Sequence, residues 1–169
     1  LSLLAGQGLA QSRNIFLELG GSGGLGSINY EKPLWVPSDY GPKFRDICGS
    51  PPHSGYFLSL RFGFYPTPVD KNNGAVLIFP IMVNWIYGCG THKLEFGGGL
   101  APSITTKGSW YIKSPLAVGY RYQPADKKLF FRATYTPIVG WLFDFNIQHW
   151  AGISIGYTLT GSKKEDEKE

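Results

Sequence analysis

The residues whose types could do chemistry are few and scattered. His53, His92 and His149 stand far apart, and Cys48 and Cys89 lack the paired spacing with which such side chains hold zinc, so no metal site and no cofactor is expected. Gly20 to Gly26 has the glycine content of a phosphate-cradling loop, but no Lys-Ser/Thr follows and no helix begins there, which makes it a bend or turn. The nearest approach to a catalytic set is His149 with Ser154 and a carboxylate. On an alternating strand Ser154 faces inward while His149 lies in or beside a loop, so nucleophile and base are not brought together and no catalytic residue is assigned. More telling are five charges, Glu18, Arg61, Glu95, Arg121 and Arg132, each standing singly inside an apolar stretch. If they share one enclosed interior they must pair with one another, because an unpaired charge in a low-dielectric core is very costly.

The elements that would place those charges together follow from composition and period. A chain of 169 residues allows one domain, and with 43% hydrophobic residues and 23 Gly it is too apolar for disorder and too glycine-rich for a helical bundle. The net charge of +4 forms no basic stripe, so nucleic acid is not a partner. The recurring signal has period two, that of a strand. Ile15, Leu17 and Leu19 alternate with Phe16, Glu18 and Gly20. Leu58, Leu60, Phe62 and Phe64 alternate with Ser59, Arg61 and Gly63, and Leu116, Val118, Tyr120 and Tyr122 with Ala117, Gly119 and Arg121. The pattern returns around Glu95, around Arg132 and from Ala151 to Leu159, while Leu77 to Tyr87 is apolar on both faces with the bulkier set at odd positions.

Which face meets water decides the class. The second face carries Gly, Ser, Thr and isolated charges rather than the Lys and Glu of a soluble surface, which suits a narrow, polar, packed interior. The bulky face is aliphatic in mid-strand and often Tyr or Trp near strand ends, as at Trp85, Tyr87, Tyr122, Tyr135, Trp150 and Tyr157, matching an apolar band between aromatic girdles. The expected fold is all-β, an eight-stranded antiparallel up-and-down transmembrane β-barrel, with the first two strands split at the glycine run. A glycine bulge in one long strand is the alternative, giving seven. Eight strands leave an interior just wide enough for side chains to fill.

With both termini on the periplasmic side, Gly88 to His92 and Pro124 to Lys127 become short periplasmic turns. Pro66 to Gly74, Pro102 to Ser114 and Val139 to His149 become external loops. Lys32 to Ser54 then falls on the periplasmic side with Cys48 and Cys89, which are either a disulfide pinning that segment or two free thiols. Residues 1–11 read as the remnant of a secretory signal peptide, residues 12–161 as the barrel and residues 162–169 as a charged, disordered tail. Trp141, Phe143, Phe145 and Trp150 make the last external loop too apolar for ordinary solvated chain. Together with Trp110 and Tyr111 they are either a partner-binding patch or a continuation of the wall.

Several runs carry a resemblance: NIFLELGGSGGLGSINYE at Asn14 to Glu31, HKLEFGGG at His92 to Gly99, GYRYQP at Gly119 to Pro124, LFFRATYTP at Leu129 to Pro137 and WAGISIGY at Trp150 to Tyr157. In order and spacing they resemble small outer-membrane β-barrel proteins of Bacteroidetes-type bacteria. The resemblance implies a single barrel in the outer membrane of a Gram-negative bacterium and no established activity. The charged tail after the last aromatic strand and the long cysteine-bearing segment depart from it. The combined reading is an integral outer-membrane barrel with a structural or binding role and a polar plugged interior, in contact with outer-membrane lipids and lipopolysaccharide, with a protein partner engaging its external loops. The alternatives are a membrane enzyme acting on lipid A, a narrow channel and a soluble lipocalin-like lipid binder.

Overall fold

A computed structural model describes residues 13–35, 57–70, 74–88, 90–124, 126–142 and 145–159. Where the sequence alternates, the chain is extended. The strands are β1 (Arg13–Gly20), β2 (Gly26–Trp35), β3 (Phe57–Asp70), β4 (Gly74–Ile78), β5 (Ile81–Tyr87), β6 (His92–Thr105), β7 (Trp110–Tyr122), β8 (Leu129–Gly140) and β9 (Asn146–Leu159). β4 and β5 are two halves of one stave, since both pair with β3 on one side and β6 on the other. Phe79 and Pro80 interrupt that stave because proline has no N–H for the ladder. The chain is nonetheless held across the break by Gly63 N–H on Pro80 O (2.7 Å) and Phe79 N–H on Pro102 O (3.0 Å). Every neighbouring pair is antiparallel, and β1 pairs with β9 from Arg13↔Leu159 to Gly20↔Gly152, so the sheet closes as an eight-stave up-and-down barrel.

The glycine run is a turn, not a bulge. Gly20 and Gly21 adopt φ of +75° and +79°, a region that favours glycine, and a short 3-10 turn (Gly21–Gly23) follows with all three residues buried. The turn folds into the lumen against β8 and β9 instead of projecting from the rim.

Alternation sorts the side chains by face. Leu17 is 55% exposed on the outer wall while its neighbours Phe16 and Glu18 are 1% exposed inside, and the same contrast separates Val118 from Arg121 and Ile153 from Ser154. Large apolar residues cover the outside on every stave, and the inside is built of Arg, Glu, Asn, Ser and Thr with a few inserts such as Phe16, Met82, Ile86 and Phe130. Close packing there depends on glycine: a Cβ on Gly156 would lie 2.6 Å from Phe16 Cβ and overlap the Phe130 ring.

At the end remote from Arg13 and Leu159 the strands run further than the sequence reading placed them. Pro66 and Pro102 open the expected external loops, and Pro115 and Pro137 bound the expected strands beside them. Each is instead paired in register, with Leu77, Ile112, Ile138 and His149 respectively. The expected loop Pro102 to Ser114 is thus mostly strand, turning only at Thr106 to Ser109, and the loop Val139 to His149 shrinks to the residues between Gly140 and Asn146.

Candidate functional site

The strand register delivers charges from β1, β2, β3, β6, β7 and β8 to one level of the lumen, where they alternate in sign. Glu31 takes both terminal nitrogens of Arg121 in a fork, at 2.6 and 2.9 Å. Arg121 also donates to Glu95 Oε2 from Nε (3.1 Å) and Nη2 (2.9 Å). Glu95 Oε1 lies 2.7 Å from Arg132, Arg132 lies 3.6 Å from Glu18, and Glu18 pairs closely with Arg61. The result is one unbroken series, Glu31, Arg121, Glu95, Arg132, Glu18, Arg61, with equal numbers of each sign.

Neutral groups complete it. Asn14 Nδ2 and Ser59 Oγ each donate to Glu31 at 2.9 Å, and Arg61 donates to Asn29 Oδ1 (2.8 Å) and Ser22 Oγ (2.9 Å). Phe16 is sandwiched between charges, with the guanidinium carbons of Arg61 and Arg132 at 5.0 and 5.1 Å from its ring centroid, and Arg121 lies 5.2 Å from that of Phe130. Arg132 differs from the other two. Its nitrogens make no hydrogen bond of ordinary geometry among the described residues, so charge and the Phe16 ring hold it.

The five charges singled out in the sequence meet here, and Glu31 joins them. The sequence reading does not include it, since Lys32 follows it directly and the apolar alternation stops there. The signal was nevertheless present: with Ile28 outward, the period of two sends Asn29 and Glu31 inward. Counting Glu31 also turns an excess of arginine into a balanced set, which the cost of unpaired interior charge favours.

Above this level lies a cavity of about 300 Å³, open at the rim remote from Arg13 and Leu159. Its floor is the turn at Ser22 to Gly24, and Ser22 is shared, lining the cavity while bonding Glu18 (3.2 Å) and Arg61 below. Tyr65, Ile78, Ala101, Ile138 and Trp150 make its wall largely apolar. Among the described residues Lys113 is the single charged side chain lining it; its Nζ lies 3.1 Å from Gln148 Oε1 and 5.6 Å from the centroid of the Tyr111 ring.

The aromatic residues expected on external loops separate accordingly. Tyr111 and Trp150 are strand residues that face the cavity, because their parity matches Ala117 and Ser154 rather than the outer wall; Trp150 is therefore not part of an outer girdle. Trp110 is also in strand but faces outward, at 61% exposed. Trp141 and Phe145 do lie in the β8–β9 connection, both exposed, with Trp141 Nε1 donating to Ser114 Oγ at 2.8 Å. Phe143, Cys48, Cys89, residues 1–11 and the tail from Ser162 lie outside the described residues. His149 is outward, stacked on Tyr135, whereas Ser154 is buried inside, so the wall separates the two members of the only acyl-transfer set the sequence offered. Among the described residues no three of His, Cys, Asp and Glu are grouped to hold a metal.

The fold has a solved counterpart. It is similar to the N-terminal β-barrel domain of OprF from Pseudomonas aeruginosa, with a TM-score of 0.54 and 13% identity over 90% of this chain and all of that one. At that identity the likeness speaks for the barrel alone. No family model and no curated protein matches the sequence.

Proposed function

We propose that this chain is an integral outer-membrane β-barrel with a structural or binding role. The observation that carries the reading is the inversion of faces: Leu17, Trp85, Phe96, Val118 and Ile155 stand exposed outside while Arg61, Arg121, Glu31 and Glu95 are buried inside. In water such a surface would aggregate; in a bilayer it is the stable arrangement, since the closed sheet pairs the backbone along most of each strand. The same inversion weighs against the soluble lipid-binding barrel, whose apolar residues would have to point inward. The lipid A enzyme is disfavoured because the wall stands between His149 outside and Ser154 inside. A narrow channel is opposed by the paired charges across the lumen and the turn folded above them. Placement of the chain termini on the periplasmic side, and membership among the small barrels of Bacteroidetes-type bacteria, belong to the same proposal; the strand motifs from Asn14 to Tyr157 support them.

The test is fractionation of the protein in its host, with gel mobility of the membrane fraction compared before and after boiling. Recovery in the outer membrane with a heat-dependent shift supports the barrel in place. Recovery as a soluble protein overturns the reading.

A further inference from the structure

The barrel wall is not level at the rim remote from Arg13 and Leu159. β1 stops at Gly20, paired with Gly152, yet β9 continues upward through Asn146 with only β8 beside it. On the other side β2 begins at Gly26 and its pairing with β3 reaches Phe64, above which Tyr65 to Asp70 have only β4. Between these two edges, which no third strand covers among the described residues, the wall is cut down to the turn joining β1 and β2, and that turn is folded inward. The notch leads straight into the cavity, since Trp150 and Gln148 on one edge, Tyr65 on the other and Gly24 and Leu25 at the base all line it.

The outer sill of the notch identifies the medium it opens to. Leu19, Leu25 and Ile153 are 64–68% exposed there, among the most exposed apolar side chains described, so the opening sits on the apolar band of the wall. Inside, the lining is apolar and aromatic, and its charge is the ammonium of Lys113. No carboxylate lies within ion-pair distance of Lys113 among the described residues; its partner is the neutral amide of Gln148. A site with an apolar body, a cation without a counter-ion at the rim and a side door onto hydrocarbon selects one chemistry.

We infer that the cavity binds a single short acyl chain carrying an anionic head group, taken laterally from the membrane through the notch above the β1–β2 turn, with the head group on Lys113. At roughly 30 Å³ for each water-sized group the cavity takes about ten non-hydrogen atoms, the size of a medium-chain fatty acid. The floor keeps the ligand at the mouth: Ser22 ties the turn to Glu18 and Arg61, so the site is a blind pocket. The lateral route rests on the membrane reading above, whereas binding in the cavity does not.

The test uses the full chain in nanodiscs of zwitterionic phospholipid, titrated with ω-bromoheptanoate, a chain of the size the cavity takes whose bromine quenches tryptophan on contact, and with uncharged ω-bromoheptanol. Saturable quenching is expected from both, lost in Trp150→Phe. Lys113→Met should weaken the carboxylate by about tenfold, as loss of a charge-assisted contact does, and leave the alcohol unchanged. Ala101→Trp fills the cavity and should abolish both; should it fail to give a heat-shifting barrel, Ile138→Trp fills the same space from β8. Quenching that rises linearly without saturation, that survives the filled cavity, or that ignores Lys113 overturns the proposal. A chain that stays soluble overturns the membrane reading instead, and the same titration in buffer still decides the cavity.

Discussion

Arg121 shows why the interior charges behave as a unit. Its planar fork meets Glu31 with two nitrogens while Nε and Nη2 reach Glu95, a geometry that a lysine ammonium cannot reproduce. Removing one partner from a buried pair leaves the other charge stranded, at a cost of about 3–5 kcal/mol. Glu31→Gln should therefore lower the free energy of unfolding in detergent by that order, seen as a drop in the denaturant midpoint of the heat-shifted gel band. Arg121→Lys should fail to recover stability close to that of the parent. The paired variant Glu31→Leu/Arg121→Leu should lose less than the two single changes together, since each single change includes the penalty of the abandoned partner. All six charges are enclosed, so raising the salt concentration should leave the midpoint of the parent protein nearly unchanged; a strong salt dependence would mean that water and ions reach the network.

Among the elements, the β1–β2 turn couples the network to the mouth. Gly21 holds a positive φ and packs so closely on Glu18 that an added Cβ would lie 2.6 Å from its carboxyl carbon. Gly21→Ala should cost about 1–3 kcal/mol through strain alone and push the turn out of the lumen, and protease sensitivity at Leu25 measures that release. The sequence made the strands legible wherever their two faces differ in chemistry, as at Leu17 beside Glu18 or Tyr122 beside Arg121. It failed where they do not. From Asn146 to Trp150 the inward side chains are Asn, Gln and Trp and the outward ones Ile and His, so alternation is present without a polarity contrast and the stretch looks like a loop. Prolines misled in the same region, since a wall many strands around tolerates the loss of single ladder bonds that would end an isolated strand. The cavity was out of reach for a further reason. Its lining comes from β3, β4, β6, β7, β8, β9 and the turn, and only the closed register brings those residues together.

For the whole molecule the reading makes two demands. Trp85, outward and 53% exposed, should be quenched by phospholipids brominated along their chains, and Trp85→Phe should remove that component of the signal. Planar bilayers containing the protein should show no steady ionic conductance, and a stable open level would contradict the closed lumen. The closure of the wall by its first and last strands has a consequence in time. Residues 13–20 must find residues 152–159 across nearly the whole described chain, so this pairing carries a large loop-closure entropy and makes for slow folding. Glu18 travels on that first strand; β2 ties it to the meander that carries Arg61, but Arg132 on β8 lacks it as a counter-ion until β1 meets β9. The last seam to zip is thus also the step that neutralises the lumen, which leaves little reason for a half-built barrel to persist: assembly should proceed in a single kinetic phase, with the mobility shift and the burial of the interior charges appearing together.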